Sequence, residues 1–247
     1  MSVVRSNLVI YTASGMPEDN TSLTGGDINS GIRASFDDPS PSSKVVIYSS
    51  NAGDTSQNLT LTGRTDNGIV INETLSLSGT DPVITNYTYN RILKTDLNSA
   101  CWGIITVSGQ SVNHIADIPA GESGFRRPFY DATADVSSTK TYYEKIFVKN
   151  NNTNTALTDA TIVEITTGLY NQIEFGLEDI KKADQTVTNR ETAPTGIGGG
   201  FGSGVSGIIN DTLLALDYQG IWLKMSLSAG ESATNSFYEI QVSGTTV

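Results

Sequence analysis

The sequence predicts an all-β protein built from two β-sandwich or jelly-roll-like units. No segment shows a sustained apolar period of 3.6 residues, the pattern typical of an amphipathic helix. Short alternating or continuous apolar segments recur instead, bounded by Gly, Asn, Asp, Ser and Pro. Several short strands at such spacing favour a sandwich or a jelly roll. A chain of 247 residues is long enough for one large β domain or two ordinary ones.

Residues 1–43 are predicted to form a strand followed by an extended arm. Leu8–Tyr11 is apolar and strand-sized, whereas the run from Thr12 to Ser43 is polar and contains Gly25-Gly26. A segment of this composition buries too little apolar surface to offset the entropy lost on ordering. We therefore expect it to be ordered only by packing on its own chain or on a neighbouring subunit.

Residues 44–108 are predicted to form a first β unit, which contains the clearest hairpin in the chain. Leu59 and Leu61 alternate with threonines, and Asn67-Gly68 then precedes an apolar segment that starts at Ile69. Asn and Gly both tolerate positive φ, so this dipeptide predicts a tight turn between two strands. Further strands are predicted at 44–48, 87–93 and 102–107.

Residues 109–139 are predicted to be a connector, and residues 140–247 an immunoglobulin-like C-terminal β-sandwich. In the first strand of this sandwich, the alternating residues Tyr142, Glu144, Ile146 and Val148 form the predicted core face. The segment Gly220–Leu227 is almost continuously apolar and is predicted to be buried on both faces. The predicted strands of this unit are Tyr142–Lys149, Ala160–Thr166, Gln172–Leu177, Gly220–Leu227 and Ser236–Val242.

The chain has few of the residues that nucleophilic catalysis requires, so we predict that it is not an enzyme. It contains one cysteine, Cys101, and one histidine, His114. A Cys/His or Ser/His/Asp site needs a base beside the nucleophile. Cys101 is predicted to be a small buried residue beside Trp102, and His114 a solvated loop residue. Trp102 and Trp222 lie in apolar segments and are predicted to pack in the core, with sugar stacking as the less favoured alternative.

Charge and motif content predict neither a nucleic-acid partner nor a membrane partner. The formal net charge is −11, from 26 acidic and 15 basic residues, whereas nucleic-acid binding by charge neutralisation needs clustered Lys and Arg. No apolar run approaches the length of a membrane-spanning helix. No signal peptide is evident, so we expect synthesis in a cytoplasm. We also expect no cofactor and no metal, since ligand spacings for zinc or calcium are missing.

A glycine-rich segment is the one candidate site that the residues themselves suggest. Gly202, Gly204 and Gly207 satisfy the G-x-G-x-x-G spacing, but no helix is predicted to follow, as a dinucleotide site requires. Long glycine loops in compact domains are usually functional, so we predict a loop that contacts a neighbouring subunit. The predicted contact residues are Gly196, Gly198, Gly199, Gly200, Phe201, Gly202 and Gly204.

Several segments resemble structural proteins of tailed bacteriophages. Thr141-Tyr-Tyr-Glu-Lys-Ile-Phe-Val-Lys-Asn-Asn-Asn152 resembles a recurrent aromatic-rich opening strand in those proteins, and the segment 220–231 resembles the matching close. Gln57-Asn-Leu-Thr-Leu-Thr-Gly-Arg-Thr-Asp-Asn-Gly68 is similar to a β module common in phage virion proteins. Together the resemblance covers most of residues 44–244.

This resemblance implies a non-enzymatic virion structural protein with no catalytic residues. Within a virion, the acidic composition favours the capsid exterior over contact with packaged DNA. We therefore expect a capsid decoration or cement protein that binds the major capsid protein and copies of itself as a homo-oligomer, with a trimer as one form. The alternatives are a phage tail or head–tail connector component, and a β-sandwich module that binds carbohydrate or a host surface.

Overall fold

The computed structural model describes residues 3, 5–164, 173–202, 206–208, 212–231 and 239–246. Within these residues the chain forms β-strands and one short 3-10 turn, Arg5–Asn7, so the all-β prediction is confirmed. The strands are β1 (Leu8–Gly15), β2 (Thr24–Arg33), β3 (Val45–Ser49), β4 (Asn58–Arg64), β5 (Val70–Ser76), β6 (Val83–Ile84), β7 (Arg91–Leu97), β8 (Ile105–Gly109), β9 (His114–Ile118), β10 (Gly124–Arg126), β11 (Lys140–Asn150), β12 (Leu157–Glu164), β13 (Ile173–Glu178), β14 (Thr186–Val187), β15 (Ile197–Gly202), β16 (Ser206–Ile208), β17 (Thr212–Leu213), β18 (Tyr218–Leu227) and β19 (Ile240–Thr246).

The chain divides into two compact units that differ from the predicted division. Residues 1–29 and 128–247 form the terminal unit, and residues 30–127 form the inserted unit. The predicted first β unit, 44–108, lies within the inserted unit. The predicted connector, 109–139, is divided between the two units and contains strands β9 and β10.

The inserted unit is a β-sandwich of two sheets. One sheet has the order β5-β4-β7-β10, and β10 pairs in parallel with the end of β2; the other has the order β6-β3-β8-β9. Both sheets contribute side chains to one hydrophobic core, in which Phe36 packs against Phe125 with ring centroids 4.4 Å apart. The buried residues of this core are Val45, Ile47, Leu59, Leu61, Leu75, Leu77, Tyr89, Ile92, Leu97, Cys101, Ile105, Val107, Ile115, Ala116, Ile118 and Phe125.

The predicted hairpin is confirmed in the inserted unit. Strands β4 and β5 pair antiparallel from Asn58 opposite Ser76 to Arg64 opposite Val70. Gly68 has φ 75° and its N–H donates to the Thr65 carbonyl at 2.8 Å. Glycine adopts this left-handed conformation without the steric cost of a Cβ atom, so the turn forms where the sequence places it.

The terminal unit contains a large sheet and a small one. The large sheet has the order β15-β13-β18-β11-β1-β2, and β14 pairs with the start of β2. In the small sheet, β12 pairs with β16, β17 and β19. The predicted C-terminal strands are shifted by a few residues, and their residues 165, 166, 172 and 236–238 lie outside the described part of the chain.

Strand β11 is covered on both faces, which extends the sequence prediction. Tyr142, Ile146 and Val148 are buried as predicted, but Lys145 and Phe147 on the opposite face are also fully buried. The strand pairs with β1 on one side and over ten residues with β18 on the other. A central strand loses its solvent-facing side when other segments cover the sheet, which alternation along one strand does not reveal.

The predicted extended arm contains a strand instead. Strand β2 occupies Thr24–Arg33, and its start pairs with β14 through Thr24 and Gly25. A Cβ atom at Gly25, where φ is 102°, would lie 2.8 Å from the Trp222 ring. The glycines that suggested a loop therefore allow a close approach between backbone and an aromatic side chain.

The described residues of the terminal unit include two buried ionic clusters. In the first, Lys145 Nζ lies 2.7 Å from Glu178 Oε1 and donates to the carbonyl oxygens of Gly26 and Ala183. Trp222 Nε1 donates to the same carboxylate at 3.1 Å. In each cluster the charged groups have hydrogen-bonding partners, as burial of charge requires. The second cluster joins Arg190 to Glu144 and Asp131.

Candidate functional site

The outer face of the β6-β3-β8-β9 sheet exposes apolar side chains. Side chains alternate along a strand, so residues next to buried core positions point outward. We define the apolar face as Val46, Tyr48, Ile84 and Ile104. Tyr48 is 38% exposed, Ile84 42% and Ile104 45%, while Val46 is partly buried. A cluster of exposed apolar side chains is typical of an interaction surface.

The strand register makes these side chains neighbours. Val46 lies directly opposite Ile84 in the pairing of β3 with β6. Ile104 continues the pairing of β8 with β3, because the Ser50 N–H donates to its carbonyl at 2.9 Å. This places Ile104 diagonally across from Tyr48, within reach for a large side chain. The apolar face is therefore one contiguous patch.

Polar side chains border the apolar face on the β9 side. Thr106, opposite Asp117, donates its hydroxyl to Asp117 Oδ1 at 3.0 Å. His114 Nε2 lies 3.0 Å from the same oxygen. His114 is exposed, as predicted, although it begins strand β9 and is not in a loop. An apolar centre with a polar border is the usual anatomy of a protein–protein interface.

The other sheet of the inserted unit presents a different outer face. Thr60 and Thr74 hydroxyls lie 3.0 Å apart, Thr62 donates to Asn72 at 2.7 Å, and Ser76 donates to Asn58 at 2.8 Å. These side chains form a ladder of hydroxyls and amides across β4 and β5. Antiparallel sheets commonly present such a polar face to water. One apolar side chain, Val70 at the start of β5, is also exposed on this face, so the face is mainly but not wholly polar.

Trp102 is exposed, so the prediction that it packs in the core is wrong. Its side chain is 73% exposed, whereas Trp222 is fully buried as predicted. The Trp102 ring lies close to the Gly53 backbone, where a Cβ atom would come within 3.2 Å of Cζ3. An exposed tryptophan held against backbone offers a flat surface to a binding partner.

A buried carboxylate fixes the backbone around Trp102. Asp54 accepts hydrogen bonds from the Ser49 hydroxyl at 2.6 Å and from the N–H groups of Trp102 and Gly103 at 3.0 and 2.9 Å. Burial alone would raise the pKa of Asp54, but these three hydrogen bonds together hold the pKa below its usual value. Asp54 is therefore charged at neutral pH and ties the segment that leads from Trp102 to Ile104.

Cys101 has the structural role that the sequence predicts. It is buried in the core of the inserted unit. Burial, together with the charge of Asp54, raises the pKa of the thiol to about 11. Since the thiolate is the reactive form, Cys101 is a poor nucleophile at neutral pH.

The glycine-rich segment forms an edge strand and not a loop. Strand β15 pairs with β13 at the end of the large sheet, with Gly198 opposite Leu177 and Gly202 opposite Phe175. Positive φ values occur at Gly196, Gly199 and Gly200, and Cβ atoms at the last two would meet nothing within 4 Å. The Phe201 ring lies 5.5 Å from that of Tyr143. Gly204 lies outside the described residues, and contact with another subunit stays a prediction.

The described residues contain no group of three or more His, Cys, Asp and Glu side chains arranged to hold a metal ion.

A polar pocket of about 200 Å³ in the terminal unit is lined by Asn20, Thr133, Ala134, Asp135, Lys140, Tyr142 and Glu191. Within the described part of the chain, no helix has the length and apolar character needed to cross a bilayer.

Comparisons with known proteins identify no family. No known protein family and no curated protein matches the sequence. Among solved structures, similarity is found to the VP2 subviral particle of infectious bursal disease virus, with a TM-score of 0.14 and 11% identity over 98% of this chain and 66% of that chain. A mutant VP2 of the same virus gives a TM-score of 0.15 and 10% identity over 98% and 64%. The chain spans just under two thirds of these capsid proteins, and TM-scores this low do not indicate a shared fold.

Proposed function

We propose that the chain is a non-enzymatic virion structural protein, a capsid decoration or cement protein that binds the outer surface of the head. The apolar face carries this proposal, since it is a contiguous, partly exposed surface bordered by polar groups. The resemblance of several segments, which cover most of residues 44–244, to phage structural proteins supports the same assignment. The partner on the capsid would be the major capsid protein.

In this role the protein would bind its partner without catalysing a reaction. None of the four residues of the apolar face is charged, and Asp117 at its border is engaged by Thr106 and His114. A net charge of −11 keeps the free protein soluble. Many copies bound to a repeating lattice would gain strength by avidity, so each single contact need only be modest.

Replacing Ile84 with glutamate is expected to weaken binding to undecorated phage heads. The substitution places a charge within the apolar face, directly opposite Val46, but leaves the inner core untouched. The free energy of unfolding should therefore change by less than about 0.5 kcal/mol. Binding should weaken by at least about tenfold, which corresponds to 1.4 kcal/mol. The measurement is co-sedimentation with purified heads, followed by electron cryo-microscopy of the pellet.

Val136→Glu is the matched control, because Val136 is a 90% exposed apolar residue that belongs to the terminal unit and not to the apolar face. It should bind heads as the wild type does. Unchanged binding by Ile84→Glu would contradict the assignment of this face. Binding only to free tail structures would favour the tail or connector alternative.

Exposure of Trp102 favours a second candidate function, binding of a neutral carbohydrate. The segments 49–57 and 98–104 carry one charged residue, Asp54, whose carboxylate is buried and hydrogen-bonded. Trp102 thus presents an aromatic plane among small uncharged residues. Such a surface suits the C–H face of a sugar ring, with nearby Asn and Ser groups for its hydroxyls.

Tryptophan fluorescence tests the carbohydrate candidate, because the chain has only two tryptophans. Stacking of a sugar on Trp102 should shift its emission to shorter wavelength when glucose or N-acetylglucosamine hexaoses are added. The shift should persist in Trp222→Phe and vanish in Trp102→Ala. No response to either hexaose at about millimolar concentration, the weak-binding limit, would reject this candidate.

A further inference from the structure

Strand β5 is an edge strand whose outer side is open. It ends the sheet order of the inserted unit, and among the described strands it pairs on one side only, with β4. Its seven residues contain neither Lys nor Pro, which commonly protect such edges. Its one charged residue, Glu73, is buried and accepts hydrogen bonds from Asn86 and Tyr89, so the open edge itself carries no charge.

The register shows which backbone groups face outward. The Thr65 N–H donates to the Ile69 carbonyl, and the Leu77 N–H donates to the Gln57 carbonyl. Since hydrogen-bonded pairs alternate along an antiparallel ladder, Ile71, Glu73 and Leu75 bond to β4. The backbone groups of the intervening residues therefore point away from β4, and these residues are Val70, Asn72, Thr74 and Ser76.

These outward groups are available to a partner strand. All four residues are exposed, and among the described residues no hydrogen bond engages their backbone N–H or C=O groups on the open side. Backbone groups that lack partners within the chain can be satisfied by a strand added from another chain. Hydrogen bonding along this edge therefore suits an extended polypeptide segment.

We propose that β5 pairs antiparallel with β5 of a second copy of this chain, about a two-fold axis at Thr74. Two copies that each carry a net charge of −11 would then meet along an uncharged row of Val, Asn, Thr and Ser. An isologous contact of this kind closes on itself and gives a dimer. It joins the two sheets into one continuous sheet.

The position of the two-fold axis follows from the side chains. An axis at Glu73 would place the two Glu73 residues directly opposite each other in a non-hydrogen-bonded pair, which opposes like charges. An axis at Thr74 sets Thr74 opposite Thr74, and Asn72 opposite Ser76, of the second copy. These pairs repeat the threonine and amide–hydroxyl contacts that β5 already makes with β4. The arrangement forms about six backbone hydrogen bonds.

Cross-linking of the purified protein tests this dimer without any capsid. In a hydrogen-bonded antiparallel pair the Cα atoms are about 5.5 Å apart, within the range that a disulfide spans. Thr74→Cys should therefore form a covalent dimer on mild oxidation, seen on a non-reducing gel. The native Cys101 is buried and does not compete.

Asn72→Cys is the matched control, since the two sulfurs that it introduces, one in each copy, would be separated by four residue positions, about 13 Å. It should remain monomeric on the same gel. Equal cross-linking of both variants would indicate random collision and overturn the proposal, and cross-linking of Asn72→Cys alone would overturn the register.

Sedimentation equilibrium gives an independent measurement. The wild type should show a concentration-dependent dimer, and Thr74→Pro should be monomeric yet folded, because the N–H that proline removes faces outward on an edge strand. A wild type that stays monomeric at all concentrations would overturn the proposal. The assay contains no heads or tails, so its failure would leave the proposed capsid binding to be judged separately.

Discussion

Replacing Glu178 with alanine is expected to lower the free energy of unfolding by about 3–5 kcal/mol, the range for breaking a buried ion pair. Its partner Lys145 is fully buried and 2.7 Å away, and the Glu178 side chain is only 2% exposed. Removal of the carboxylate leaves the Lys145 ammonium group without its counter-ion and the Trp222 N–H without its acceptor. Chemical denaturation followed by circular dichroism measures the loss.

Glu174→Ala is the control on the same strand. Glu174 pairs with Lys224, but their side chains are 27% and 29% exposed, so water screens the pair. The expected loss is less than about 1 kcal/mol. Similar losses for Glu174→Ala and Glu178→Ala would contradict the importance of burial.

A double variant, Lys145→Met with Glu178→Leu, separates the charge from the packing. It should recover part of the stability lost in Glu178→Ala, because no unpaired charge remains. Recovery is expected to be incomplete, since Lys145 also donates to the carbonyl oxygens of Gly26 and Ala183. No recovery would show that these hydrogen bonds, and not the charge, dominate.

Neither ionic cluster could have been predicted from the sequence. Alternation along β11 places Lys145 on the face opposite Tyr142 and Ile146, where a lysine is normally solvated. That face is covered by segments far away in the chain, including Gly26 and Ala183. The sequence therefore predicts correctly which side chains share a face of β11. It does not predict that the second face is buried, because that depends on tertiary packing.

Local signals were sufficient where the structure is local. The turn at Asn67-Gly68 and the strands around it form as predicted, because turn chemistry and alternation act over a few residues. Strand β2 was missed because it is polar and rich in glycine. Its glycines permit close contact with Trp222, a residue almost two hundred positions later, and no local pattern reports such a contact.

The candidate site likewise contains features that local sequence predicts and features that depend on distant contacts. Trp102 lies in an apolar sequence, which favoured a core position, but its backbone is held by Asp54 from another loop and its ring faces solvent. The apolar face has a signal that can be recognised in retrospect. The segment Val45–Tyr48 is continuously apolar, yet it belongs to a strand with only one face in the core. A continuous apolar run on such a strand indicates that its second face is available to a partner.

Trp222→Ala is expected to destabilise the terminal unit by about 3–5 kcal/mol, the range for removing a large buried aromatic side chain. Trp222 is fully buried, lies close to Gly25, and donates to Glu178. Alanine would leave a cavity. It would also remove a hydrogen bond from the Glu178 carboxylate, whose charged form is already destabilised by burial. Burial is the main factor that raises the pKa of Glu178, and the Trp222 hydrogen bond opposes that rise.

The matched control is Trp102→Ala, which removes the same side chain from a 73% exposed position. Its expected cost is less than about 1 kcal/mol, because little buried surface is lost. Equal costs for the two variants, measured by denaturant unfolding with circular dichroism, would mean that Trp102 also has a structural role. A large loss in free energy of unfolding for Trp222→Ala alone would show that the fold does not depend on Trp102. An exposed tryptophan without a role in stability is expected to take part in binding.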